Sequence, residues 1–362
     1  MTATYTFDVF TSLDGFGSYS GGNWGGYWGK QGPELLEHRL ALYGAEQRLD
    51  RRQTMPMTDA AACRFVADYY GPRAAGMRGL GAGEWSRAYT FALDGREVVI
   101  RFGDHVEDFC KDQVMAAHSR AALPIPAVIE IGAAGDGYFA VSEREHGELL
   151  DSLDGDGMLA ALPGLLAALD ALRAIDTSGT EGYGIWASNG TGSAASWAQA
   201  LPAISQETAR VPGWRAALAA SPVGTGPFDQ AHARLRELAE GLPEERHIVH
   251  GDLVNHNVLV QGPRITAVID WGNALYGDWL YDVAWLIFWW PWFPQWRDID
   301  ITAELDRHWD QHGGPPAGLH HRLHACLVHI GLDAMAYNAY RGRWDDLART
   351  ASQASQLITC GR

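Results

Sequence analysis

Three side chains in the second half of the chain have the types and spacing to handle a metal ion and a proton together. In HIVHGDLVNHNVLV, Asp252 and Asn257 stand on a polar loop between two apolar runs, and in RITAVIDWGN, Asp270 closes the next run. The runs 248–249 and 258–260 read as strands, and Gly262-Pro263 turns the chain back through residues 265–269. Asp270 therefore arrives at a strand end beside the loop that carries Asp252 and Asn257. One carboxylate can orient and deprotonate a hydroxyl, while a second carboxylate and an amide oxygen hold magnesium on phosphate oxygens. Singly, each residue is a common turn former. Their combination suits phosphoryl transfer from a nucleotide to an alcohol.

A nucleotide site should precede such a loop. GLGAGEWSRAYTFALDGREVVIRFG reads as a glycine-rich turn and two strands, with Asp94-Gly95 as a tight hairpin connection. Gly79, Gly81 and Gly83 would let backbone amides approach phosphates closely, and Ser86 offers a hydroxyl donor. Glycines between strands are also ordinary turn residues, so this segment gains meaning from the loop downstream.

HGDLVNHN and VIDW resemble the catalytic loop and metal-binding aspartate of the aminoglycoside phosphotransferases, a family similar to protein kinases. ALPIPAVIEIG, RITAVIDWGNALYGDWLYDVAWLIFWWPW and HIGLDAMAY resemble the branch of that family acting on hygromycin B, from about residue 57 onward. The resemblance implies an α+β, protein-kinase-like fold of two lobes with the active site between them. Residues 55–145 would form a small antiparallel N-lobe and residues 146–362 a larger, mostly helical C-lobe. It implies Asp252 as catalytic base, Asn257 and Asp270 as magnesium ligands, His250 as a brace, and Asp282 as the acid that pins the loop from below. Arg101 stands where kinase-like enzymes generally place the lysine that steadies the phosphates; arginine keeps the charge but presents a planar fork. In FCKDQVMAAH, Asp112 is implied as the acid that orients Arg101, while Glu107 and Asp108 read as solvated helix charges. EREHGELL resembles the hinge, where backbone groups near Glu143 and Glu145 would meet the purine edge.

The same resemblance implies ATP as donor, magnesium as cofactor, and a hydroxylated small molecule as acceptor, hygromycin B or another cationic aminoglycoside. Its ammonium groups would meet Asp298, Asp300 or Asp333 and its rings Trp289 or Trp292, although helix tryptophans usually belong to cores and scattered acids to the surface. A kinase of homoserine, choline or a sugar is a second reading, and a nucleotide-binding module without turnover a third.

Composition sets the frame. The 362 residues carry a formal net charge of -16, which argues against general nucleic-acid binding and permits a cationic partner. Cys63, Cys110, Cys326 and Cys360 form no C-x-x-C pair, and His320, His321 and His324 fit no metal motif, so a reducing cytoplasm is the natural setting. VAWLIFWWPWF is too short and too interrupted to span a bilayer, and reads as a buried helix ending at Pro291 with Asp278 as its cap. Further helices are expected over 105–121, 159–174, 228–242 and parts of 296–356, with long specificity-bearing connections at 176–200 and 221–227. Residues 1–54 differ in character: they resemble the opening of a riboflavin-type dihydrofolate reductase-like domain, cut off after its first helix. They read as a fusion remnant or extension ahead of Met55 or Met57, without the pattern of a secretion signal.

Overall fold

Period-two burial along one strand sets the geometry of the nucleotide side. In β3, Arg96–Gly103, the side chains of Val98, Ile100 and Phe102 are buried while Val99 and Arg101 alternate to the other face. The computed structural model describes residues 57–360 other than Glu84 and Asn255, so the expectations for residues 1–54 lie outside the described residues. β1 (Ala74–Ala82), β2 (Ser86–Leu93), β3, β4 (Val128–Ala134) and β5 (Gly137–Glu143) form one antiparallel sheet in the order β1-β2-β3-β5-β4. The β2–β3 connection is the Asp94-Gly95 turn, with both residues at positive φ, as the Asp-Gly dipeptide predicts. α1 (Asp59–Tyr70), capped by the Thr58 hydroxyl, lays Ala62, Val66 and Tyr70 on the face that presents Val98, Ile100 and Phe102. The opposite face, carrying Arg101, is left for α2 (Val106–Ala116) and the cleft.

α2 stops five residues short of the expected end at 121. Mutual backbone bonds between Arg120 and Leu123, and the Ser119 hydroxyl accepting from the Ile125 amide, fold the chain into a turn before Pro124.

Beyond the sheet the chain is mostly helical: α3 (Gly155–Arg173), α4 (Trp197–Ala200), α5 (Trp214–Ala220), α6 (Gly226–Ala239), α7 (Leu280–Trp289), α8 (Ile301–Gln311), α9 (Leu319–Arg341) and α10 (Trp344–Cys360). α9 is the central strut, with Ala325, Val328, Ile330, Leu332 and Met335 fully buried. Two small sheets hold the loops. β6 (Glu148–Leu149), β10 (Val258–Gln261) and β11 (Arg264–Val268) form one, and β7 (Tyr183–Trp186), β8 (Gly192–Ala194), β9 (His247–Val249) and β12 (Leu275–Gly277) the other. The connection expected at 176–200 is thus a hairpin plus a short helix. Its strands are too short for a periodic signal, and β7 is ordered by tertiary pairing of Gly184 and Ile185 with Tyr276 and Leu275.

α7 ends at Trp289, one 3₁₀ turn around Pro291 following it. Asp278 accepts the Leu280 amide at 3.0 Å, and its larger engagement is a buried two-pronged pair with Arg322, 2.7 Å to each of two guanidinium nitrogens. α3 alone among the described helices is long and apolar enough to cross a membrane, and its Met158, Ala161, Leu162 and Leu165 lie in the core.

Candidate active site

The loop between β9 and β10 is fixed by three buried polar groups. Asp282, on α7, accepts the amides of His250 and Gly251 at 2.8 Å each. Gly251 sits at φ 75, and a Cβ there would lie 3.2 Å from the Asn273 carbonyl oxygen, so the tight turn requires glycine. Fully buried His250 accepts the Asp252 amide at Nδ1 and donates from Nε2 to the Ile269 carbonyl at 3.0 Å, a pattern only the neutral Nε2–H tautomer satisfies. Burial drives its pKa down to about 4 and that of Asp282 up to about 6.

Those anchors bring Asp252 and Asn257 into one hydrogen-bonded unit with Ile269, the residue before Asp270. The Asn257 amide donates to the Asp252 carbonyl at 2.7 Å, and the Asn257 carbonyl accepts the Ile269 amide at 2.9 Å, one residue before Asp270. Asp270 takes a left-handed conformation, φ 63, a sparsely populated state for a residue with a side chain. Its carboxylate is 47% exposed and stands 3.7 Å from Arg101. The Asn273 amide donates to Asp252 Oδ2 at 3.1 Å, which orients the carboxylate.

Arg101 reaches across from β3 to Asp112 on α2, and the second oxygen of Asp112 accepts the buried Trp271 amide at 2.8 Å. One carboxylate thereby couples the sheet, α2 and the strand end bearing Asp270. Lys111, the next residue back, is buried and donates to the Gly272 and Ala274 carbonyls at 3.0 and 3.1 Å, with burial lowering its pKa to about 8. Gly81 and Gly83 are exposed at the β1–β2 turn, a Cβ at Gly81 would meet open space, and Ser86 follows the Gly83 amide, which donates to the Ser86 carbonyl. Trp85, Ser86, Arg101, Phe109 and Asp270 line a small cavity beneath this turn. A larger cavity of ≈ 380 Å³ lies next to it, lined by His105, Asp108, Lys111, Trp186 and Arg210, but it reaches neither Asp252 nor Asn257. The Glu143 amide is already donated to Ala127, and its side chain pairs with Arg96; Glu145 is half-buried beside it.

α9 approaches the glycine turn from the C-terminal region. His329, Asp333 and Tyr337 follow at helical spacing and share one face. His329 bonds Tyr281 at 2.9 Å, and the Tyr337 ring lies 6.4 Å from Trp85 at the glycine turn. Asp333 stands between them; burial raises its pKa to about 6, Arg210 lowers it in part, and no described residue hydrogen-bonds to it. Arg210 pairs with Asp108 at 2.9 Å and covers the Trp85 ring at 4.8 Å, linking the C-terminal region to α2 and the glycine turn.

Four expected substrate contacts are engaged elsewhere. Asp300 caps α8 through the Ala303 amide, and Asp298 is 94% exposed beside Arg297. Trp289 packs on Trp285, Phe288 and Trp292, while Trp292 donates to Gln353 and carries Arg349 on its face at 3.8 Å. Sequence reasoning passed over Asn273 and Lys111, although both lie in the quoted stretches IDWGN and FCKDQ. It read Asp108 as solvated, whereas Asp108 pairs with Arg210, and for Arg210 no local signal exists.

Known proteins resemble this chain in sequence and in fold. Residues 77–318 match the model of the phosphotransferase enzyme family. The chain is 34% identical over 284 residues to hygromycin-B 4-O-kinase from Escherichia coli, covering 78% of this chain and 80% of that protein. It is similar to the crystal structure of aminoglycoside phosphotransferase APH(4)-Ia, with 32% identity, a TM-score of 0.74, and coverage of 84% of this chain and 100% of that one. A thermostable mutant of APH(4)-Ia in ternary complex with AMP-PNP and hygromycin B superimposes with a TM-score of 0.72 at 32% identity, over 82% of this chain and 98% of that one.

Proposed function

Because the chain belongs to the phosphotransferase enzyme family, we propose that it transfers the γ-phosphoryl group of ATP to a hydroxyl of hygromycin B or a closely related aminoglycoside. The lobe up to residue 145 holds the nucleotide and the remainder holds catalysis and acceptor. The observation that carries this reading is the single hydrogen-bonded unit of Asp252, Asn257 and the strand end at Asp270, facing Arg101.

The donor set fits magnesium. Asn257 spends its amide nitrogen on the Asp252 carbonyl, so its side-chain oxygen is turned away from that bond, and Asp270 contributes a half-exposed carboxylate. Both are hard oxygen donors of the kind magnesium takes. When bound there, the ion supplies positive charge against the phosphate oxygens. Arg101, held by Asp112, adds a fixed cation on the nucleotide side, and the open glycine turn offers backbone amides. Asp252, oriented by Asn273, takes the hydroxyl proton as the acceptor oxygen bonds to the γ-phosphorus and ADP departs.

Acceptor recognition rests on Asp333. A partly buried carboxylate with no described hydrogen-bond donor is stabilised by an incoming ammonium group, which supplies both charge and protons for bonding. ATP consumption and the unpaired Cys63, Cys110 and Cys326 suit the cytoplasm. The test is incubation of the purified chain with ATP, magnesium and, separately, hygromycin B, homoserine, choline and hexoses, followed by mass spectrometry. A phosphate-sized gain on hygromycin B alone is expected; a gain on one of the others alone would overturn the substrate assignment.

A further inference from the structure

Two histidines and an aspartate on neighbouring helices form a cluster that phosphoryl transfer does not use. Asp170 lies near the end of α3, His308 in the last turn of α8, and His312 at the residue that caps α8. Their metal-binding atoms all lie within 4.8 Å of one another. His308 Nε2 is 2.9 Å from Asp170 Oδ2, and the two imidazole rings approach to 4.3 Å between centroids. The i, i+4 spacing places both rings on one face of the helix terminus.

The tautomer of His312 follows from its partner. Its Nδ1 lies 2.7 Å from the His308 backbone carbonyl, which can only accept, so Nδ1 carries the proton and Nε2 keeps its lone pair. An imidazole anchored through Nδ1–H to a carbonyl, with Nε2 left to ligate, is the usual arrangement of a metal-bound histidine. His308 is the inner member, 14% exposed, whereas Asp170 is 44% exposed and can adjust.

We propose that Asp170, His308 and His312 bind one divalent transition-metal ion, zinc first among them, which fastens α8 to α3. Two imidazole nitrogens and one carboxylate oxygen suit zinc, copper or nickel, whereas magnesium prefers oxygen donors and keeps its water. In a tetrahedral site with bonds of about 2.0–2.1 Å, ligand atoms stand roughly 3.4 Å apart. His308 and Asp170 are 2.9 Å apart and all three residues offer an atom within 4.8 Å of the others, a range that includes this spacing. Three protein ligands leave a fourth position to water. The ion would take the place of the direct His308 Nε2 to Asp170 contact, with the imidazole carrying its proton on Nδ1 and presenting the Nε2 lone pair.

The experiment uses the full chain without a histidine tag, stripped of metal and held in magnesium buffer. Zinc chloride is titrated by calorimetry, and Tm is followed against added zinc. One binding event near one equivalent is expected, with a rise in Tm that levels off at the same point. His312→Ala and Asp170→Asn should each weaken that event by at least ~10-fold, since loss of a ligand exceeds the effect of losing a supporting contact. Both variants should keep the parent Tm in the absence of zinc, and added magnesium should leave Tm unchanged. Absence of zinc binding, or binding of equal strength in both variants, would overturn the site.

Discussion

Replacing Asp282 by Asn should tilt the dependence of stability on pH while leaving stability at pH 7 nearly unchanged. Burial raises the Asp282 pKa to about 6 in the folded chain from an ordinary value of 3.8, so the native state binds the proton more tightly than the unfolded state. A raised carboxyl pKa contributes stability that is full below pH 3.8 and lost as pH rises through 6. Between pH 7 and pH 5, proton uptake by Asp282 adds about 1.3 kcal/mol. His250 works in the opposite sense. Its pKa falls from 6.5 to about 4, so its contribution is intact above pH 6.5 and declines on acidification, by about 1.8 kcal/mol over the same interval. The two slopes nearly cancel in the parent protein. In Asp282→Asn the histidine slope stands alone, so acidification from pH 7 to pH 5 should cost the variant about 1.3 kcal/mol more than the parent. At pH 7 the loss of one acceptor for the His250 or Gly251 amide, about 1–3 kcal/mol, offsets relief of the buried charge, about 3 kcal/mol. Urea unfolding followed by tryptophan fluorescence at both pH values measures the difference. Parallel pH profiles for parent and variant would refute the opposed-titration argument.

Asp333→Asn should reduce kcat/KM for hygromycin B by roughly 10- to 100-fold through KM, the worth of a charge-assisted hydrogen bond, with KM for ATP unchanged. In the parent, KM for the aminoglycoside should rise as pH falls below about 6, because protonation removes the charge on Asp333; a flat KM between pH 7 and 5.5 would count against its contact with the acceptor. Asp112→Asn should lower kcat/KM for ATP by at least ~10-fold, since Arg101 and the Trp271 amide lose a shared anchor; unaltered nucleotide kinetics would remove Asp112 from the site. Arg322→Met should cost about 3–5 kcal/mol in urea unfolding by stranding the buried Asp278 carboxylate; a loss under 1 kcal/mol would show that Asp278 is solvated or neutral.

What could be read from the sequence divides along a physical line. The convergence of Asp252, Asn257 and Asp270 was legible because the proposed metal and proton chemistry restricts residue types within one short loop and one strand end. The hairpin at Asp94-Gly95 was legible because positive φ restricts composition in the same way. The surroundings of Asp333 were not. Asp333, Tyr337, Arg210 and Trp85 come from α9, a loop before α5 and the glycine turn, and only packing brings them together. Of five residues offered for substrate contact, Asp333 is buried on α9 near Arg210, whereas Asp300 caps a helix and Trp292 bonds Gln353 on α10, roles that look the same in sequence. β7 was hidden for a similar reason: four residues without alternation become a strand only when β12 pairs with them.

The most direct test is single-turnover transfer from radiolabelled ATP to hygromycin B by Asp252→Ala, measured beside binding of a non-hydrolysable ATP analogue in magnesium. Analogue affinity within a few-fold of the parent and a transfer rate lower by roughly two to four orders of magnitude is the expected result. Transfer at the parent rate would contradict the account, because the carboxylate held by Asn273 would then have no part in activating the hydroxyl.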